Sequence, residues 1–375
     1  MDIQVEKAKL ISALQILTPI TDKSSTKPIL SNFLMEVTNN GEGGMAQLTA
    51  TDYEISTQVR MPVGVKEPGS ICVSAKKMLE ICREYLTEEI HISSDPRLWV
   101  AVEGGPARLD LPSVEIGLYP QMEMTDLPNR FKIATRGLAR CIEMTIFACQ
   151  ASETRKNLMG VNLRLEEGKL AKWTATDGHR LSQITHPVEV LAGSAPEDII
   201  IPRKALVEIQ KVLEIAGDEV EISFDERSLV LAGDNIVLMT RLIEGKFPNV
   251  DPVIPKENDK QVVVNRERLI NALRIVSVMS NEKIKPVKFS LEPDRMRLES
   301  EPAENGKVSD EIPITYQGDT FDIGFNARYL LDVMQVLGGT DTVHLALKGS
   351  LNPCLINVPD DAAFLSVVMP LRIEW

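Results

Sequence analysis

The 375-residue chain is 43% hydrophobic and 25% charged, an ordinary balance for a globular protein, and its length suits two or three domains of about 100 to 200 residues each. No apolar run approaches the roughly 18 residues that a membrane span needs, and the N-terminal MDIQVEKAKL carries charges where a signal peptide has an apolar core, so no membrane partner and a cytoplasmic location are expected. The net charge of −13, taken whole, argues against nucleic acid, because phosphates are met by Lys and Arg.

In chain order, the first predicted elements are a short strand and an amphipathic helix in IQVEKAKLISALQIL (3–17), with apolar residues spaced by four. An alternating, half-buried strand follows in ILSNFLMEV (29–37), then the turn signal NNGEGG (39–44), the stretch ATDYEIS (50–56), and a second strand and helix in ICVSAKKMLEIC (71–82). The succession then recurs: FKIATRGLARCIEMT (131–145), NLMGVNLRL (157–165), the turn LEEGK (165–169), TATDGHRLSQ (174–183) and IIIPRKALVEIQ (199–210). A third round reads VVVNRERLINALRIV (262–276), KPVKFSLE (285–292) and IGFNARYLLDVM (323–334). Val5, Ile133 and Val264 align, as do Leu10, Leu138 and Leu269, then Leu14, Ile142 and Leu273. Ser74, Pro202 and Asn326 stand at the turns into the second helix of each copy, where Ser and Asn cap well and Pro suits a first turn.

Such self-similarity marks three copies of one unit of about 125 residues. The expected domains are 1–126, 127–254 and 255–375, joined near MTDLPN (124–129) and PVIPKEND (252–259), both of linker composition. Each copy has two helices and several short strands, so the expected class is α+β, two helices packed on antiparallel sheet. Five cysteines, odd in number and without a CxxC pair, are read as buried thiols; no metal or cofactor is expected.

Charge is segregated along this repeat. The predicted helices 6–17, 74–86, 135–146, 202–215, 265–278 and 326–337 hold 14 Lys and Arg against 8 Asp and Glu, while the rest of the chain is net −19. Basic helices in an acidic protein suggest a surface that meets a polyanion. They carry no helix-turn-helix, zinc-finger or RNP pattern, so contact would be with phosphates and independent of sequence. If two such chains closed into a ring, twelve helices side by side at about 10 Å would give a circle of roughly 120 Å with a hole of about 28 Å, wide enough for a duplex about 20 Å across.

Several blocks in this order, ATDGHRLS (175–182), KFPNVDPVIP (246–255), SNEKIKPVKF (280–289), IGFNARYLLDV (323–333) and VVMPLRI (367–373), resemble those of bacterial DNA polymerase III β subunits, the sliding clamps, over essentially the whole chain. The resemblance implies a DNA clamp fold closing as a head-to-tail homodimeric ring on double-stranded DNA. It implies no catalysis, and tethering of the replicative polymerase, clamp loader and repair proteins through a pocket for a short peptide motif. Carried over by match, that pocket comprises Leu158, Thr176, Gly178, His179, Arg180, Leu181, Pro248 and Val253, with Val367, Met369, Pro370, Leu371 and Arg372 from the C-terminal strand. DNA contacts are expected from Arg136, Arg140, Arg203, Lys204, Lys211, Arg266 and Arg268 on helices, and from Lys23, Lys27, Arg155, Lys156, Lys283 and Lys285 on loops. The subunit interface is expected to set Leu109 and Leu111 against Val278 and Met279. The chain departs from the family pattern at Ser24, at Lys156 and Asn157, at Pro252 and Pro353, and in its Glu374-Trp375 extension.

Two rivals stand beside this reading. Asp177 and His179 could form an acid–base pair, but only four histidines exist and no metal spacing, GxxxxGK[ST] or GxSxG motif accompanies them. A three-repeat scaffold that never meets DNA would leave the basic helices merely solvated. Asp177 recurs as Asp52 in ATDYEIS, where no His exists, so the shared Ala-Thr-Asp is most simply a turn whose Asp bonds backbone amides.

Overall fold

A computed structural model describes residues 1–372 except 22–26, 40–42, 96, 98, 121–126, 153, 167–168, 194–197, 279–284, 301–305 and 360. Lys23, Ser24, Met279, Lys283, Glu374 and Trp375 lie outside the described residues.

Six α-helices occur among the described residues: α1 (Lys7–Leu17), α2 (Ala75–Glu84), α3 (Thr135–Ile146), α4 (Arg203–Val212), α5 (Arg266–Ser277) and α6 (Ala327–Val336). Caps set several starts: the Ser74 side chain accepts from Lys77 N at 3.4 Å, Asn265 from Arg268 N at 2.9 Å and Asn326 from Arg328 N at 3.0 Å. Pro202 differs from expectation, ending the strand Asp198–Pro202 immediately before α4 rather than entering its first turn. The α4 helix also stops before the expected 215, because Glu214 N and Ile215 N reach back only three residues, to Lys211 and Val212 carbonyls. These bounds drop Glu6 and Glu214 and leave 14 cations against 6 acids on the helices.

The threefold repeat is visible in single bonds. The first residues of α1, α3 and α5 donate backbone N–H to the carbonyls of Glu88, Asp218 and Asp341 at 2.8, 2.9 and 2.9 Å.

Two compact units form, each around its own antiparallel sheet. The first contains residues 1–136, 189–194 and 204–242. In its sheet, which has 13 strands among the described residues, Ile236–Arg241 of the second copy pairs with Ile55–Glu67 of the first, from Ile236 opposite Val59 to Thr240 opposite Ile55. One path ends Glu89–Ser94, Trp99–Gly104, Ala107–Pro112. The second unit contains residues 137–188, 195–203 and 243–375, with a sheet of 12 strands among the described residues. There Arg180–Pro187 of the second copy pairs with Asp361–Val368 of the third, from Arg180 opposite Val368 to Ile184 opposite Phe364.

Alternation along these strands fills the cores. Phe131 and Phe224 meet edge-on at 6.4 Å in the first unit and Phe289 and Phe325 at 5.4 Å in the second, all fully buried. Each such ring contributes about 1.5–3 kcal/mol by burial. All five cysteines are buried and unbridged, and burial pushes the thiols of Cys72, Cys82, Cys141 and Cys149 up to about 12, so they stay protonated packing groups. No helix among the described residues is long and apolar enough to cross a membrane.

Candidate functional site

The stretch TATDGHRLSQ folds as a turn between two strands, Leu170–Thr176 and Arg180–Pro187. Thr176 Oγ1 donates to the Arg180 carbonyl at 2.7 Å and accepts from Gly178 N at 3.1 Å, while Asp177 Oδ1 accepts from His179 N and Arg180 N at 2.9 and 3.0 Å. The first copy repeats this bond for bond. Thr51 Oγ1 donates to the Ile55 carbonyl at 3.0 Å and accepts from Tyr53 N at 3.1 Å, and Asp52 Oδ1 accepts from Glu54 N and Ile55 N at 2.9 and 2.7 Å. Tyr53 and Gly178 share a left-handed backbone, φ 74° and 88°. The carboxylate is therefore a turn device, and it meets the backbone of His179 rather than its ring. The bonds place Ile55 opposite Arg180 in the repeat, so the two turns are of equal length.

What the second copy adds is side chains. Arg180, with a side chain only 9% exposed, donates from Nε to Asp177 Oδ2 at 3.2 Å, from Nη1 to Asp332 Oδ2 at 2.5 Å and from Nη2 to the Phe147 carbonyl at 2.5 Å. Its guanidinium also faces the rings of Tyr329 and Phe147, at 4.7 and 5.4 Å. His179 is exposed and stacks on Tyr329, centroids 6.3 Å apart. Burial first, and the Asp177 charge second, raise the Tyr329 phenol above its ordinary pKa, so it stays neutral at physiological pH.

Beside this cluster lies a cavity of about 200 Å³. Nine of the residues named from sequence for the pocket line it: Leu158, Thr176, Gly178, Arg180, Leu181, Pro248, Val253, Val367 and Met369. Buried Leu158, Leu181 and Val367 contribute apolar walls, and Val253, 43% exposed, contributes an open margin. His179, Pro370, Leu371 and Arg372 do not line it. Instead Met369 N donates to the His179 carbonyl at 2.9 Å and Leu371 N to the Gly324 carbonyl at 2.8 Å, which ties the C-terminal segment alongside. Three lining residues carried no such signal in the sequence: Arg155, Asn249 and Val250. Arg155, nominated above for DNA, donates to the Asp177 carbonyl at 2.9 Å, and Asn157 holds the 246–250 segment through a 2.9 Å bond to the Lys246 carbonyl.

The cations nominated for DNA divide by what they already hold. Arg266, 14% exposed, donates to the Thr340 and Met334 carbonyls at 3.1 and 2.9 Å and is a structural pin between the ends of α5 and α6. Arg268 makes a bidentate pair with Asp310 at 2.7 Å, Lys204 holds Asp52 at 2.6 Å and Glu54 at 3.1 Å, Lys211 pairs with Glu208 at 2.9 Å, and Arg140 pairs with Asp361. Lys27 lies over the Tyr53 ring at 4.5 Å. Lys156 is exposed, and the Lys285 carbonyl accepts from Ala327 N at the start of α6. Arg136 and Arg203 are exposed with no ion pair among the described residues, as are Arg274 and Arg328, which sequence reasoning did not nominate.

At the nominated interface, Leu109 is 38% exposed, Leu111 9% and Val278 77%. The strand Ala107–Pro112 pairs only with Trp99–Gly104 among the described residues, leaving one edge without a partner.

Comparison with known proteins accounts for the whole chain. Family models for the N-terminal, central and C-terminal domains of the DNA polymerase III beta subunit match residues 1–123, 132–249 and 251–372. A beta sliding clamp of Caulobacter vibrioides is 32% identical over 381 residues, covering 100% of both chains, and that of Bacillus subtilis is 27% identical over 387 residues, covering 99% of this chain and 100% of its own. The solved sliding clamp of Pseudomonas aeruginosa bound to griselimycin aligns with a TM-score of 0.93 at 29% identity over 100% of both chains. Sharing three tandem domains and an α+β fold with these proteins, the chain belongs to the DNA polymerase III beta subunit family, the sliding clamps of DNA replication, which are non-catalytic subunits of that polymerase's holoenzyme.

Proposed function

We propose that two copies of the chain close head to tail into a ring around duplex DNA in the cytoplasm, slide along it without reading sequence, and hold the polymerase, the clamp loader and repair proteins through the cavity at Arg180. The observation that carries the ring is a pattern of strand junctions. Second-copy Ile236–Arg241 joins first-copy Ile55–Glu67, and second-copy Arg180–Pro187 joins third-copy Asp361–Val368. By the same equivalence Ala107–Leu111 corresponds to Ile236–Thr240, and Ser309–Thr315 corresponds to Ile55–Glu67. A third junction of the same kind would join two chains, with the exposed edge of Ala107–Pro112 laid on Ser309–Thr315 of a partner. Leu109, half exposed at that edge, suits such a seam.

A ring turns weak phosphate contact into processivity, because a closed topology slides but does not fall off sideways. Loading onto nicked circular DNA, followed by release when the circle is linearised, tests this; a solution mass of one chain at micromolar concentration contradicts it.

The cavity supports peptide capture, offering apolar walls, an adaptable Met369 and a few polar groups for register. Griselimycin, found on the Pseudomonas aeruginosa clamp, is expected to bind this chain too. Its competition with a short peptide that carries an apolar anchor would assign it to the cavity.

A further inference from the structure

A second cavity, of about 440 Å³, adjoins the first and shares Val253 with it. It is built from the Asp251–Asn258 segment and from Lys348, Asn352 and Pro353. The two prolines singled out in the sequence, Pro252 and Pro353, both line it, with Pro255 as a third. Prolines have fixed φ and no backbone N–H, so this wall is rigid before any ligand arrives and offers no donor there for strand addition. Asn258 holds the shape from behind, donating to the Ala346 and Pro353 carbonyls at 2.6 and 3.2 Å.

Among the cations around this cavity, Lys348 pairs with Glu257 at 3.1 Å, while Lys172 holds Glu166 at 3.3 Å and reaches the exposed Asp251 only at 4.0 Å. Lys256 is exposed and has no ion pair among the described residues, so it is the cation left for a ligand.

Resting on the peptide reading of the first cavity, we propose that the second cavity takes the residues flanking the apolar anchor of the same bound peptide, and selects an acidic side chain there through Lys256. A cavity of 200 Å³ accommodates an anchor but little else, whereas the second cavity, on the other side of the shared Val253, has room for the residues that flank it.

Fluorescence anisotropy on the full chain tests this with three labelled peptides: a short Ser-Leu-Phe-Ser anchor, the same anchor with Gly-Asp-Glu-Gly on both sides, and with Gly-Lys-Lys-Gly on both sides. The acidic peptide is expected to bind about fivefold more tightly than the basic one at low salt, and the gap to close in 0.5 M salt. In Lys256→Glu the order should reverse, with binding of the short anchor unchanged, which also shows that the variant is folded. Equal binding of acidic and basic peptides, or an unchanged order in Lys256→Glu, overturns the proposal while leaving the first cavity's role intact. Failure of all three peptides to bind overturns the cavity reading itself and this inference with it.

Discussion

Arg180 and Asp332 are joined at 2.5 Å across 152 residues of chain, and the same guanidinium reaches Asp177 and the Phe147 carbonyl. Its three acceptors lie in different segments, so Arg180 fixes the geometry of the cavity it lines. Arg180→Ala leaves two carboxylates without their cation and is expected to cost on the order of 3 kcal/mol in chemical denaturation. Arg180→Lys should recover little of that loss, since one ammonium cannot span a forked set of acceptors.

Gly178 sits at φ 88°, and a Cβ there would lie 3.0 Å from both Nη atoms of Arg155. Gly178→Ala is expected to lose about 1–2 kcal/mol from the left-handed backbone and to displace Arg155 from the cavity. Peptide affinity should fall with stability. A variant equal to wild type in both would show that the turn relaxes freely.

His91 lies between two carboxylates, Nδ1 2.9 Å from Glu103 Oε2 and Nε2 2.8 Å from Asp2 Oδ1. Hydrogen bonding to Glu103, then to Asp2, raises the imidazole above its ordinary value, and the His91 bond lowers both acids below theirs. The raised His group stabilises fully below its unfolded pKa and loses that effect as pH rises through its folded one. The lowered acids stabilise above their unfolded pKa values and lose that effect as pH falls through their folded ones. The cluster is thus most stabilising between about pH 4.5 and 6.5. The denaturation midpoint of His91→Gln should change less than that of wild type between pH 5.5 and 8.5; an equal change would discount the cluster.

Arg266 and Arg203 should behave oppositely, although both are helix arginines. Arg203→Ala is expected to weaken DNA binding and reduce the slope of log affinity against log salt by about 1, with melting unchanged. Arg266→Ala should lower the melting temperature and leave the salt slope alone, because its donors hold carbonyls inside the fold.

Leu109→Lys places a charge on the unpaired edge strand. Its half-exposed position lets the chain fold, so secondary structure and melting should match wild type while the sedimenting species shifts from two chains to one. A variant that stays paired would place the seam elsewhere.

Helix positions were legible because apolar spacing is local and three copies check one another; Leu10, Leu138 and Leu269 are all buried on corresponding helix faces. The turn role of Asp52 and Asp177 was legible too, since short acids bond nearby amides. Arg155 was not. It reaches the carbonyl of Asp177, 22 residues away, and nothing in local sequence separates a cation that meets phosphate from one that folds inward. Asn249 and Val250 were missed for a related reason, as their approach to the cavity depends on Asn157 holding the 246–250 segment. The pairing of strands between copies was likewise hidden, because a repeat declares its period but not which neighbour completes its sheet.

Those shared sheets bear on how the chain can be dissected. The second copy contributes Ile236–Arg241 to one sheet and Arg180–Pro187 to the other, so excising it as a fragment would bare two long strand edges at once. A first-copy fragment would similarly expose Ile55–Val59. Pieces cut at the repeat boundaries would therefore be sticky and prone to self-association, however natural those boundaries look in sequence. Proteolysis of the native chain should leave large products that ignore the repeat, because what resists cutting is the sheet rather than the copy.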